Sequence, residues 1–287
     1  MLAQELTQTQ IDQYHNRGFI AVENVLAAEH VSELQAVTDD FIEQSRNYTD
    51  NTDVFDLEPD HSPEAPKLRR IKDPHLAHEA YDRLLRHEGI INMVSQLLGT
   101  WAVRSNGTKL NMKSGEFGSP VHWHQDWAFY PHSNDAILAV GVAIGDMTRE
   151  NGCLLAIPES HRGPILDHNQ DGAFVGAVTE HDFAPTDAES IEVRSGGISI
   201  HHVRTLHGSA VNQSTQPRPL LLISYAAADA WPLMGISDFQ SFTNQLISGS
   251  ECTAPRLEAI PVRMPLPAAE FQGSIYENQR AQQDRAF

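Results

Sequence analysis

Between residues 101 and 228 the chain passes through five short stretches, WAVRSNGTKLNMK, ILAVGVAIGDM, GCLLAIP, SIEVRSGGISIHHV and PLLLISYAAA, divided by residues that favour turns. Their length and β-branched content predict strands of an antiparallel sheet, sandwich or barrel. No repeat of fixed period is visible in the sequence.

The first hundred residues read differently. TQTQIDQYHNR (7–17) carries Ile11 and Tyr14 three apart and is stopped by Gly18, which predicts a short helix. FIAVENVL (19–26) reads as a strand. Val31, Leu34, Val37 and Phe41 then recur at three- and four-residue steps, the period of an amphipathic helix running to about residue 46. Residues 47–66 are rich in acids and hold three prolines without a sustained period, so they are expected to form a loop or a lid. A second helical zone spans 75–99, with Leu84, Leu85, Ile90, Ile91, Val94 and Leu97, and Gly99 ends it. The expected organisation is one domain over 1–287. It comprises a mainly helical layer (1–100), a β-core bearing any metal site (101–230) and a C-terminal extension (231–287).

The formal net charge is −18, with a pI near 5.1. That excess of acids disfavours nucleic acid and anionic membrane surfaces as partners, because both reward clustered Lys and Arg. A small-molecule partner fits better, and oligomeric state is open. No segment approaches the roughly 18 apolar residues of a membrane span, and the first 30 residues are polar, so a cytoplasmic location is expected. Cys153 and Cys252 lie far apart and form no CxxC pair; they read as reduced, packed thiols.

Of the chain's fifteen histidines, five crowd two places: His122 and His124 in VHWHQDWAFY, and His201, His202 and His207 in ISIHHVRTLHG. Two such clusters suggest one metal site built from both. On an extended backbone, His124 and Asp126 project to the same side. A His-x-acid pair alone says little in a chain with 15 His and 38 acids. His207, 81 positions after Asp126, and Arg218, 11 further on, change its meaning. Two imidazoles and one carboxylate leave three positions open on a metal, the donor set of non-haem Fe(II) oxygenases. A dicarboxylate co-substrate would then need a bidentate cation such as Arg for its far end. His122 lacks the following Glu of a cupin-like His-x-His site and is expected to pack. Of the neighbours His201 and His202, at most one faces inward, in a hydrogen-bonded structural role.

HWHQDWAFYPH, ENGCLLAIPESHRG and LHGSAVNQSTQPRPLLLISY, with QIDQYHNRGFIAVENVL near the start, resemble the phytanoyl-CoA dioxygenase family of Fe(II)/2-oxoglutarate oxygenases. The resemblance touches residues 9 to about 230. It implies a mainly β fold, a double-stranded β-helix (jelly-roll, cupin-like) core with an N-terminal helical layer. It also implies Fe(II), 2-oxoglutarate and O2 as cofactor and co-substrates. By position, His124, Asp126 and His207 match the iron ligands, Arg218 and Ser209 match contacts to the far carboxylate of 2-oxoglutarate, and Asn111 and Tyr130 fall at further co-substrate contacts. Trp127, Phe129 and Trp231 are candidates for a substrate wall. Hydroxylation of an unactivated C–H of a small molecule, with 2-oxoglutarate going to succinate and CO2, is the implied reaction. Related halogenases have a small residue in place of the Asp, so Asp126 argues against halogenation. Two positions depart from the family pattern: Glu159 stands where its IPGSH turn has Gly, and Gly197 replaces the acid of its Gly-Asp turn. A zinc-dependent hydrolase and a non-enzymatic ligand-binding β-sandwich are the alternatives; neither gives Arg218 a task, and the first would bind Zn(II) at the same His/Asp/His set.

Overall fold

The computed structural model describes residues 4–115, 119–181, 183, 185–268 and 275–281. Its elements run α1 (Gln8–Arg17), β1 (Phe19–Val22), α2 (Ala28–Gln44), β2 (Phe55–Leu57), β3 (Leu68–Lys72), α3 (Pro74–Ala77), α4 (Glu79–Leu85), α5 (Glu88–Leu98) and β4 (Val103–Lys113). There follow β5 (Val121–His124), β6 (Ile137–Ala143), β7 (Leu154–Ala156), β8 (Asn169–Gln170), β9 (Ala173–Phe174), β10 (Glu189–Ile191), β11 (Ile198–His202), β12 (His207–Ser209) and β13 (Arg218–Ala227). α6 (Phe239–Asn244), β14 (Leu246–Ser248) and α7 (Ile275–Asn278) complete the series.

Two antiparallel sheets carry the site, one ordered β1-β11-β6-β13-β4-β3-β2 with β14 also on β4, the other β10-β7-β12-β5. Together they are the jelly-roll core implied by the sequence. Alternation along the strands divides the main sheet into two faces. Leu221, Ile223 and Tyr225 of β13, Leu138, Val140 and Val142 of β6, and Ile198 and Ile200 of β11 pack against the helices, meeting Leu34, Phe41, Tyr81, Ile90 and Val94. The opposite face looks toward the second sheet, where Ala143, Cys153, Ala156, Ile191 and Leu220 form a smaller core.

The helix α1 starts in a reciprocal capping box between Thr7 and Gln10, and stops at Gly18 with φ 85°. Glycine is required there twice over: a Cβ would lie 2.5 Å from His161 Nδ1 and 2.7 Å from Thr205 Oγ1. The chain leaves this turn directly into β1, which registers Phe19 against His201 on β11.

Several boundaries differ from the sequence expectation. The acid-rich stretch 47–66 contains β2, whose Asp56 is buried against Arg70 and Lys72 of β3 at 2.7 and 3.1 Å. The helical zone 75–99 is three helices, broken where His78 and His87 leave the helical conformation. The C-terminal extension folds back, with β14 pairing on β4 and α7 reaching the central cavity. Glu159, in the family's glycine position, adopts φ 64°. Gly197 has its own reason for lacking a side chain: a Cβ would sit 2.7 Å from Val193 Cγ1 and 2.9 Å from the Val22 carbonyl oxygen. Cys153 is buried, Cys252 half-buried, and both are free thiols. No helix among the described residues is long and apolar enough to cross a membrane.

Candidate metal centre

β12 pairs with β5 so that His207 stands directly opposite His124, and their rings lie 4.1 Å apart. Asp126 follows in the tight turn that ends β5. One donor atom from each of His124, Asp126 and His207 falls within 4.8 Å of the others, and all three residues are buried. His124 Nε2 is 3.7 Å from Asp126 Oδ1.

The remaining ring nitrogens are committed. His124 Nδ1 lies 2.8 Å from the His122 carbonyl oxygen and His207 Nδ1 2.8 Å from that of Thr205. A carbonyl can only accept, so each Nδ1 carries its hydrogen and each Nε2 keeps a lone pair aimed inward. Burial pushes the His124 pKa down to about 4 and that of His207 well below its usual range. For Asp126 burial acts upward, but His201, His207 and Lys109 outweigh it and hold the carboxyl well below its ordinary value. Two neutral imidazoles and one carboxylate are the protonation states that bind a divalent transition metal.

His201 and His202 separate as alternation requires. His201 faces the centre, its Nε2 3.5 Å from Asp126 Oδ2, while His202 turns toward Tyr14 and lies 3.8 Å from Asp135. His122 meets Gln279 through its backbone and lies outside the cavity lining.

The triad opens onto a cavity of about 370 Å³, within the range of small-molecule sites. Arg218, Ser209, Asn111 and Tyr130 line the same cavity. Arg218 is 3 % exposed, yet among the described residues its Nε has no partner and its Nη1 reaches only Met147 Sδ, at 3.6 Å. Burial lowers its pKa to about 10, so it remains cationic at neutral pH. Asn111 Oδ1 is likewise buried without a partner among the described residues. Burial, with the Asp126 charge nearby, pushes the Tyr130 hydroxyl pKa well above its usual value.

The three aromatic candidates are placed elsewhere. Trp127 is fully buried in a separate apolar cluster with Ile137 and Val203, its Nε1 donating to the Pro261 carbonyl at 3.0 Å. Phe129 packs edge-on behind His124 and against Phe174. Trp231 stacks near Phe242 and donates to the Cys252 carbonyl. None of the three lines the cavity.

Other residues near the centre were not expected from sequence. Gln125, between two triad members, donates from Nε2 to Pro164 O (3.2 Å) and Arg204 O (2.9 Å), and accepts from Leu166 N (2.9 Å). Its backbone N–H donates to His168 Nε2. Lys109 enters the cavity from β4, two positions from Asn111, a spacing that alternation could have flagged. Tyr276 enters from α7, with a buried hydroxyl that has no partner among the described residues; nothing in its sequence context signals that position.

The family model for phytanoyl-CoA dioxygenase (PhyH) matches residues 14–220. A relative from Stutzerimonas stutzeri, described as a probable alpha-ketoglutarate-dependent hypophosphite dioxygenase, is 34% identical over 275 residues, covering 94% of this chain and 96% of its own. EctD from S. alaskensis with bound Fe superposes with a TM-score of 0.67 at 21% identity, over 91% of this chain and 89% of that one. The same protein with 2-oxoglutarate and 5-hydroxyectoine gives 0.66 at 19% over the same shares.

Proposed function

The chain belongs to the phytanoyl-CoA dioxygenase family, and from that premise we propose how its own residues serve an Fe(II)/2-oxoglutarate-dependent dioxygenase. In this reading His124, Asp126 and His207 hold the iron, and Arg218 pairs with the far carboxylate of 2-oxoglutarate. The observation that carries it is the buried Arg218 guanidinium, which lacks an anionic partner among the described residues yet lines the same cavity as the triad. A buried, unpaired cation costs several kcal/mol, so the site is complete only with a carboxylate in it. The Ser209 hydroxyl and the Asn111 Nδ2 amide, donors that line the same cavity, fit the same ligand.

Bound Fe(II) supplies the redox chemistry by which 2-oxoglutarate becomes succinate and CO2 while oxygen is inserted into a substrate bond to hydrogen. The protein's part is placement. The carbonyls of His122 and Thr205 fix the imidazole tautomers, and the His201 ring stands beside the Asp126 carboxylate, its Nε2 3.5 Å from Oδ2. Leu154, Leu220 and Leu222 supply the apolar part of the cavity wall.

The substrate is a small molecule, and hydroxylation is the proposed outcome. The Stutzerimonas relative carries hypophosphite in its name, which makes small anions the first compounds to try. Residues 1–287 are taken as one domain, because the N-terminal helices share a core with β6, β11 and β13 and α7 reaches the cavity. A cytoplasmic location stays part of the proposal, supported by two free thiols. The test is succinate formation from 2-oxoglutarate by the Fe(II)-loaded protein with ascorbate, across a panel of small metabolites. Stoichiometric Fe(II) with no succinate from any of them would remove the reading.

A further inference from the structure

The cavity face of the main sheet can be followed row by row. β13, β4 and β3 lie side by side and antiparallel, so alternate residues of each enter the cavity. One row joins Leu220, Asn111 and Arg70; the next joins Leu222, Lys109 and Lys72. Arg218 lies one row earlier, beside Lys113. Distance along the sheet therefore separates two cationic positions in one cavity, Arg218 at one end and Lys109 two rows on.

The cations of the second position are not equivalent. Arg70 and Lys72 share the buried Asp56 carboxylate, at 2.7 and 3.1 Å. Asp73, the other acid at that end, is exposed. Lys109 is half-buried and makes no hydrogen bond or ion pair with any described residue; the charges it feels are Asp126, which attracts it, and Arg70, which repels it. Asp126 is already committed to the metal set, so its charge is shared with the ion. With Arg218 assigned to the co-substrate, Lys109 is, among the described residues, the cation left in the cavity without an ion pair. Nearby, Asn106 Nδ2 meets Ser224 Oγ at 3.4 Å and extends a polar wall beside it.

We infer that Lys109 selects the primary substrate, and that this substrate is a small tetrahedral oxyanion whose oxygens pair with the Lys109 ammonium while its bond to hydrogen faces the metal triad. The inference rests on the dioxygenase reading above. A lysine suits it: an ammonium is a compact point charge with three rotatable donors, matched to a tetrahedral anion, whereas a planar carboxylate is better gripped by a guanidinium fork. In the reaction the substrate X–H becomes X–OH. One oxygen atom of O2 enters that bond and the other enters succinate; substrate and 2-oxoglutarate each give up two electrons, and O2 takes four.

Anaerobic calorimetry on the Fe(II)-loaded protein tests this in two steps. 2-Oxoglutarate is titrated first, then hypophosphite, methylphosphonate, acetate and neutral acetamide into the 2-oxoglutarate complex. Wild type should bind hypophosphite or methylphosphonate more tightly than acetate, and acetamide not at all. Lys109→Met should weaken that binding about 10-fold or more, with Lys109→Arg recovering part of it, and both should keep the parent's 2-oxoglutarate affinity within threefold. If wild type fails at the first titration, the dioxygenase reading fails and the inference with it. If 2-oxoglutarate binds but no oxyanion does, if acetate binds best, or if Lys109→Met leaves oxyanion binding unchanged, only the inference falls. A loss of 2-oxoglutarate affinity in Lys109→Met would instead assign the lysine to the co-substrate and overturn it.

Discussion

Arg218 and Lys113 stand directly opposite each other across the β13–β4 pair, both buried and both cationic residues, yet only one of them is satisfied by the protein. Lys113 Nζ donates to three backbone carbonyls, Ser119 at 2.8 Å, Ala210 at 2.5 Å and Ser209 at 3.4 Å. Arg218 has no carboxylate and no carbonyl among the described residues. Lys113 is therefore part of the fold, pinning the strand that carries Ser209, whereas Arg218 is held ready for something the protein does not contain.

That contrast gives a pair of opposed outcomes. Arg218→Met should raise the 2-oxoglutarate KM by about 30-fold or more, since a desolvated charge-assisted pair contributes roughly 2–5 kcal/mol. Its iron affinity should stay near the parent's, and its unfolding midpoint without 2-oxoglutarate should not fall, because an unpaired buried charge is removed. Lys113→Met should do the reverse, lowering stability because three buried carbonyls lose their donor. A 2-oxoglutarate titration and a urea unfolding curve for each variant decide the matter; an Arg218→Met KM within threefold of the parent would refute its assignment.

For the metal ligands, His124→Ala and His207→Ala should each abolish turnover and lose stoichiometric Fe(II), because each removes one of three protein donors. Asp126→Gly should lose hydroxylation as well. The check is iron content after gel filtration beside succinate release, and retention of full activity by either histidine variant would mean another residue is the ligand.

The sequence made the strands and the triad legible for the same reason: both are written in short-range spacing. Short β-branched runs between turn residues mark β4, β6, β11 and β13, and the His-x-Asp and His-Gly-Ser motifs are local. What escaped depends on partners far along the chain. Residues 47–66 read as a loop or a lid because they hold many acids and three prolines without a sustained period, but Asp56 and Glu58 are buried against Arg70 and Arg69, the latter at 3.0 Å, and the pairing is visible only once β2 and β3 are adjacent. Lys109 gains meaning from its register beside Lys72, and Tyr276 from the return of the C-terminal segment. Trp127, Phe129 and Trp231 mislead in the opposite sense, since proximity in sequence to the ligands does not say which face of the turn they occupy.

Glu159 offers a test of local strain. A non-glycine residue at φ 64° costs roughly 1 kcal/mol, and the backbone bond from Glu159 N to Arg17 O would survive substitution. Glu159→Gly should therefore raise the unfolding temperature by about 1–4 °C, less whatever the looser unfolded chain takes back. Glu159→Val should lower it. Equal melting temperatures for the three proteins would show that the turn relaxes freely.

Buried neutral histidines should make the iron-free protein acid-sensitive. Burial depresses the His168 pKa to about 4 and that of His202 to about 3, against 6.5 when unfolded. The unfolded chain thus binds protons that the native state refuses, so stability is complete above about pH 6.5 and falls as the pH drops toward 4. The ceiling for His168 is about 3 kcal/mol. Urea unfolding at pH 7.5, 5.5 and 4.5 should show the decline in the parent and a shallower one in His168→Gln. Identical slopes would locate the sensitivity elsewhere.

Gln125 couples fold to site most directly, because it is fully buried in the turn between His124 and Asp126 and its amide ties two other loops to that turn. Gln125→Leu keeps the volume but leaves Pro164 O, Arg204 O and Leu166 N without their partner, at a cost of about 2–4 kcal/mol. If the amide did no more than fill space between loops, the loss would appear in unfolding alone. With the turn untied, however, His124 and Asp126 no longer share a fixed geometry, and Fe(II) affinity should fall by roughly 10- to 100-fold as for other residues that orient metal ligands. Gln125→Glu separates packing from polarity: it preserves an acceptor for Leu166 N but sets a carboxylate against two carbonyl oxygens, so it should be no better than leucine for stability. Calorimetric Fe(II) titrations at a temperature where all three proteins are folded make the comparison, and parental iron affinity in Gln125→Leu would limit this residue to a role in folding.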